Sequence, residues 1–249
     1  MTDLKQTLSE RILVLDGAMG TMIQKFGLQE TDYRGKQFAD WDVMLKGNND
    51  LLCITQPDII KNIHTQYLEA GADIIETCTF NSQRISMSEY KMGHFIKELN
   101  SAACTIAREI ADEYTRKNPN KPRFVVGSVG PTGKTASMSP DVENPALRNI
   151  TYDELVDAYI EQMEALIRGG VDGLLIETIF DTLNAKAAMF AAEQAMKNVG
   201  KRVYIMLSAT VADTSGRTLS GQTIPAFLAS VEHGNILSIG LNCSFGARD

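Results

Sequence analysis

The sequence predicts a parallel α/β fold, and three observations predict it. Short apolar runs alternate with amphipathic helical stretches along the chain, and strands separated by helices pair in parallel through right-handed crossovers. One segment nearly repeats: GADIIET at 71–77 and GVDGLLIET at 170–178 each join a helix end to a buried strand and a closing Glu-Thr. Polar residues gather where the apolar runs end, which is where parallel barrels keep their chemistry. Periodicity alone fits an open doubly wound sheet equally well; the polar strand ends favour the barrel. Six apolar runs are found where a closed barrel needs eight. The expected form is therefore a (β/α)8 TIM-type barrel lacking its last two β/α units, with 1–249 as one domain.

The elements follow in order. ILVL at 12–15 is the first run and ends in DGAMG. A helix over 57–70 has Ile59, Ile60, Ile63 and Tyr67 at helical spacing, with Gly71 placed to end it. Ile74 and Ile75 form a second strand, 97–113 a helix, and FVVGSV at 124–129 a third strand. Thr151 and Glu154 make a capping box, and Gly169 closes the helix that follows. Leu174 to Ile176 is the fourth strand and runs into Glu177-Thr178, after which Asp181 caps a helix over 183–197. A fifth strand covers 203–207. A polar loop over 213–223 precedes a short helix, and 236–241 is the sixth strand.

Composition narrows the function. With 24 Lys+Arg against 31 Asp+Glu, the net charge is −7, which argues against nucleic acid or an anionic membrane surface as partner. The start lacks the apolar core of a signal peptide, and no stretch of ~18 apolar residues occurs. A cytoplasmic protein is expected. Cys53, Cys78, Cys104 and Cys243 show no C-x-x-C spacing, so no disulfide framework is read from them.

Several residues could carry chemistry. Asp16 follows an apolar run directly, with Gly17 and Gly20 close behind; it either pairs with a substrate ammonium or bonds its own loop. Glu76 and Glu177 close two strands alike, and a charge at a buried strand end needs a partner, whether a ligand amine or a neighbouring Arg or N–H. Cys243 closes the sixth strand and is either a rim thiolate or a small buried residue. Cys78 stands at a rim beside Glu76, and Cys53 and Cys104 read as core positions. GSVGPTGKT at 127–135 imitates a phosphate loop, but the pattern needs glycine at 128, where Ser128 stands.

Taken together, the blocks LDGAMGTMIQ (15–24), KGNNDLL (46–52), GADIIET (71–77), VGPT (129–132), SPD (139–141), IETIFDTLNAK (176–186), SGRTLSGQT (215–223) and GLNC (240–243) resemble the homocysteine S-methyltransferase family. The longer blocks at 46–52 and 215–223 are most similar to its cobalamin-dependent methionine synthase branch. The resemblance spans nearly the whole chain and implies a (β/α)8 barrel that binds homocysteine and activates its thiol on zinc. It places Asp16 and Glu177 on the amino group, Gly17 and the backbone of 77–80 along the amino-acid end, and Cys243 on the zinc. The expected substrate-binding residues are thus Asp16, Gly17, Glu76, Thr79 and Glu177. The expected metal ligand is Cys243, with no catalytic residue beyond the zinc-bound thiolate. Two further cysteines of the family's zinc site have no counterpart before Asp249, so weak zinc binding and no activity are expected of the chain alone. Methylcobalamin and methyltetrahydrofolate would act from separate cobalamin- and folate-binding modules. Alternatives are a stand-alone methyltransferase using betaine or another small donor, and a ligand-binding module without catalysis. Unpaired strand edges also predict self-association or partial disorder near 236–249.

Overall fold

A computed structural model describes residues 3–211, 214–243 and 245 of the chain. Its sheet contains β1 (Ile74–Glu76), β2 (Phe124–Val129), β3 (Gly173–Ile179), β4 (Tyr204–Ala209) and β5 (Ser238–Leu241). They lie in the order β1-β2-β3-β4-β5, and every pairing is parallel. The expected first strand at 12–15 is not a full strand: Leu15 makes one parallel bridge to Ile74. Its outer side has no neighbour among the described residues, and Ile12 is 88% exposed, so nothing extends the bridge into a ladder. Five strands stand where six were expected. The run at 12–15 and β5 are the two edges of this sheet, and no pairing closes it among the described residues. Of the segment expected to self-associate or disorder, 244 and 246–249 lie outside the described residues.

Among the described residues ten α-helices accompany the strands: α1 (Leu4–Glu10), α2 (Met19–Gln24), α3 (Glu30–Arg34), α4 (Leu52–Thr55), α5 (Pro57–Glu69), α6 (Arg84–Met87), α7 (Ile96–Lys117), α8 (Tyr152–Arg168), α9 (Thr182–Val199) and α10 (Ile224–Val231). The expected caps form. Thr151 and Glu154 bond each other's backbone N–H at the start of α8, and the Asp181 carboxylate accepts from Leu183 N and Asn184 N at the start of α9. Gly169 closes α8 as expected, its N–H bonding Ala165 O, and Gly170 after it takes the left-handed conformation at φ +91°. Gly169 is also needed for closeness, since a Cβ there would lie 2.5 Å from Cβ of Cys104.

Side-chain alternation explains the layers. Ile75, Val125, Leu174, Ile176, Ile205 and Leu207 point outward into the core beneath α5, α7, α8 and α9. Ile74, Phe124, Val126 and Leu175 point to the other face and pack with Leu4 of α1. The repeated aspartates fix the strand starts. Asp73 accepts Val14 N at 2.9 Å and pairs with Arg11; Asp172 accepts Val125 N at 2.8 Å and pairs with Arg108. Helices α2, α3 and α4 were not anticipated from periodicity. They are short and build a second apolar cluster around Leu45, Leu51, Ile60 and Met87. No helix among the described residues is long and apolar enough to cross a membrane.

Candidate functional site

The inner-face positions turn polar as the strands reach their C-terminal ends. Counting by twos from Ile74, Phe124, Leu175 and Tyr204 leads to Glu76, Ser128, Glu177 and Ser208. The apolar floor and the polar rim therefore belong to one and the same face. Asp16 joins them by backbone geometry. The Leu15 bridge sets it beside β1, where Asp16 N donates to Ile74 O at 2.9 Å and Glu76 N donates to Asp16 Oδ2 at 3.1 Å. The other Asp16 oxygen, Oδ1, is buried and has no hydrogen-bond partner.

Glu177 is aimed by a bulge. The β3–β4 register shifts between Ile176 and Ile179, and Thr178 takes the left-handed conformation at φ +54°. Such bulges re-aim side chains beside active sites. Ser128 Oγ donates to Glu177 Oε1 at 2.5 Å, and the Glu76 and Glu177 carboxyls lie close enough to influence each other.

Among the described residues no cation is found with the groups that influence these acids. Burial, with Glu177's charge adding to it, pushes the Asp16 carboxyl up to about 8, against the pull of the Glu76 N–H. Burial and then the charges of Glu177 and Asp16 raise Glu76 well above the usual carboxylate range. Burial raises Glu177 as well, opposed by the Ser128 hydroxyl and the neighbouring Glu76. Three acids facing one another, one with an unmet acceptor, are an arrangement that a positively charged donor would complete.

The remaining expected residues divide. Gly17 adjoins Asp16, and a Cβ there would meet the Tyr67 ring at 3.1 Å. Tyr67 is raised by burial and by Asp16 and Glu76, so this helix residue belongs beside the site. Thr79 is fully buried, and its hydroxyl is engaged by Ser128 O at 2.7 Å and Thr77 Oγ1 at 2.6 Å. Cys243 is exposed, two residues past β5, at φ +58°. Asn242 holds it there: Nδ2 donates to Thr178 Oγ1 at 2.8 Å and to Cys243 Sγ at 3.4 Å, while Oδ1 accepts from Thr178 N and Ser208 Oγ. Asn242 thus ties the bulge of β3 to the ends of β4 and β5.

Cys78 is not the rim residue expected. It is buried, with Sγ on Asn49 O at 3.6 Å and Cys53 beside it. Among the described residues no group of three His, Cys, Asp or Glu side chains could hold a metal ion. Cys243 alone does not complete a zinc site, which takes four ligands.

Ser128, Tyr67 and Asn242 were missed as site residues. Parity along β2 gives Ser128, whereas no sequence signal marks Tyr67 among the other apolar residues of its helix.

A family model described as Homocysteine S-methyltransferase matches residues 13–249. Among solved structures, the chain is similar to the homocysteine methyltransferase MmuM from Escherichia coli. The metallated form is 22% identical, with a TM-score of 0.73 over 96% of this chain and 77% of that one. The oxidized form is also 22% identical, with a TM-score of 0.75 over 98% and 77%. At such identity the likeness supports the parallel α/β fold.

Proposed function

Since the chain belongs to the homocysteine S-methyltransferase family, we propose that its acid cluster binds the amino group of homocysteine. The observation that carries this reading is the meeting of Asp16, Glu76 and Glu177 on one face, with Asp16 Oδ1 unpartnered. An ammonium supplies three N–H donors and the positive charge that the cluster lacks. Fixing that end of the amino acid leaves its thiol directed by the site instead of tumbling in solvent.

The reaction forms a bond between sulfur and the methyl carbon, breaks the bond from that carbon to its carrier, and releases the thiol proton; its product, L-methionine, would present the same ammonium to the cluster. A free thiol is mostly protonated at neutral pH, with a pKa near ~8.5. Zinc, which the resemblance implies, would supply a thiolate, and Cys243 is the residue we assign to it. No step is routed through the metal, because the described residues do not complete its site. We read 1–249 as one domain of the cobalamin-dependent branch, with methylcobalamin as donor, recharged from methyltetrahydrofolate on separate modules. The blocks at 46–52 and 215–223 support that branch over a small donor such as betaine.

Calorimetry with L-homocysteine tests the site. Saturable binding is expected, weakened roughly tenfold or more in Glu177→Gln, as for loss of one charge-assisted contact. Equal affinity in the variant would remove Glu177 from the site.

A further inference from the structure

A second cleft lies outside the acid cluster, between the start of α9 and the loop that follows β4. It holds about 320 Å³ and is lined by Lys186, Gln222, Ser137, Ser220, Ser230 and Asp181, with Leu183 at its edge. That volume is at the lower end for small-molecule sites. Asp181 also borders the small hollow beside Glu177, so the cleft adjoins the acid cluster without sharing its carboxyls.

The polar lining is almost wholly engaged within the protein. Asp181 Oδ1 accepts Leu183 N at 2.9 Å and Asn184 N at 3.1 Å, and Oδ2 is held by Ser137 Oγ. Ser220 Oγ bonds Thr218 Oγ1 at 3.1 Å, and Ser230 Oγ donates to Ala226 O at 2.8 Å. Gln222 Oε1 takes the Thr182 hydroxyl. Two donors are left. Lys186 is half-buried and forms no ion pair or side-chain hydrogen bond among the described residues. The Gln222 amide nitrogen likewise has no partner among them. Both are donors, and neither Lys nor the amide nitrogen can accept. An unmatched cation beside an unmatched N–H donor selects a complement that is anionic and rich in acceptors.

We propose that this cleft is a second ligand site, which takes the carboxylate or phosphate of a small molecule on Lys186 and Gln222. Its occupant is distinct from the amino acid, since none of Asp16, Glu76 and Glu177 lines this cleft. The oxyanion receives the Lys186 ammonium and the Gln222 N–H, and Leu183 covers the remainder of the ligand.

The test is a titration of the full chain with inorganic phosphate and, separately, acetate, followed by amide NMR shifts of Leu183, Ser220 and Gln222. Saturable shifts are expected with at least one anion; the tighter of the two identifies the headgroup. Lys186→Met should weaken that binding about tenfold or more, as for a lost charge-assisted hydrogen bond, whereas Lys186→Arg should retain it. Ser230→Leu, which fills the cleft from α10, should also abolish the shifts, and methionine binding at the acid cluster should be unchanged in all three. Shifts from neither anion, or equal shifts in Lys186→Met, would overturn the proposal.

Discussion

Asp16 and Asp50 are both carboxyls pushed up by burial, to about 8 and about 7. Their surroundings nevertheless differ. Asp50 Oδ2 accepts Asn81 N at 2.7 Å and Ser82 Oγ at 2.9 Å, so it ties the segment after β1 to the turn at 49–51. Asp16 accepts one N–H through Oδ2, leaves Oδ1 without a partner, and faces two further acids. Burial raises either group, so a raised carboxyl by itself does not mark a site. An unmet acceptor beside like charges does, because that arrangement is completed only by a proton or a cation.

Substitution should separate the two. Asp50→Ala leaves the buried Asn81 N–H and Ser82 hydroxyl without their acceptor, at about 1–3 kcal/mol for each group. Stability should fall by roughly that amount or more in denaturant titrations, with methionine affinity of the folded fraction nearly unchanged. Asp16→Asn retains the shape and an acceptor, so stability should hold. Methionine affinity should drop roughly tenfold to a hundredfold, as for loss of a charge-assisted contact. If Asp50→Ala weakened binding more than Asp16→Asn did, the two assignments would have to be exchanged.

The pH dependence sharpens the same contrast. Asp16 and Asp50 have folded values of about 8 and about 7 against an ordinary 3.8. Between those limits the folded chain keeps protons that the unfolded chain gives up. The stability they contribute is complete below pH ~4 and is lost as pH rises towards 8. His64 acts in the opposite sense. It is fully buried with neither ring nitrogen bonded, and burial lowers it from 6.5 to about 4. Stability is therefore lost as pH falls through that window. Melting temperatures should decline from pH 6.5 to 8.5, and Asp16→Asn should flatten the portion above pH 7. Saturating L-methionine should flatten it too, since the ammonium replaces the proton. Equal slopes in the wild type and Asp16→Asn would remove Asp16 as the source.

Much of this candidate site was legible because it depends on local rules. The runs ending at Glu76 and Glu177, the capping box at Thr151 and the cap at Asp181 are set by neighbours a few residues away, and the structure forms them. Asp16 was legible as a polar residue after an apolar run, although that run pairs through one bridge instead of a ladder. What was not legible depends on contacts distant in sequence. The Thr178 bulge is held by Asn242, 64 residues away, and neither position reveals the other. Cys78 looked like a rim residue because it follows Glu76 so closely. Its burial is decided by α4 and the turn before it, helices too short to announce themselves by period.

The smallest expected effect comes from Gly17, beside Asp16, and it tests whether the acid side of this comparison needs a fixed wall. A Cβ at Gly17 would stand 3.1 Å from Cε1 and Oη of Tyr67. That is tighter than ordinary contact, so the ring must yield by a few tenths of an ångström. Tyr67 is held by its own hydroxyl, which donates to Ala18 O at 3.3 Å, and by its place on α5. Gly17→Ala should therefore cost under about 1 kcal/mol of stability, within the range of a mild steric change. Methionine affinity should fall only about threefold, because the ring shifts against Asp16 and Glu76 without removing either acid. Tyr67→Phe deletes one of the two closest atoms and frees the ring to move, so the double variant should recover part of the lost affinity. Additive losses in the double variant would show that Gly17 acts through its backbone and that Tyr67 is not the wall of this site.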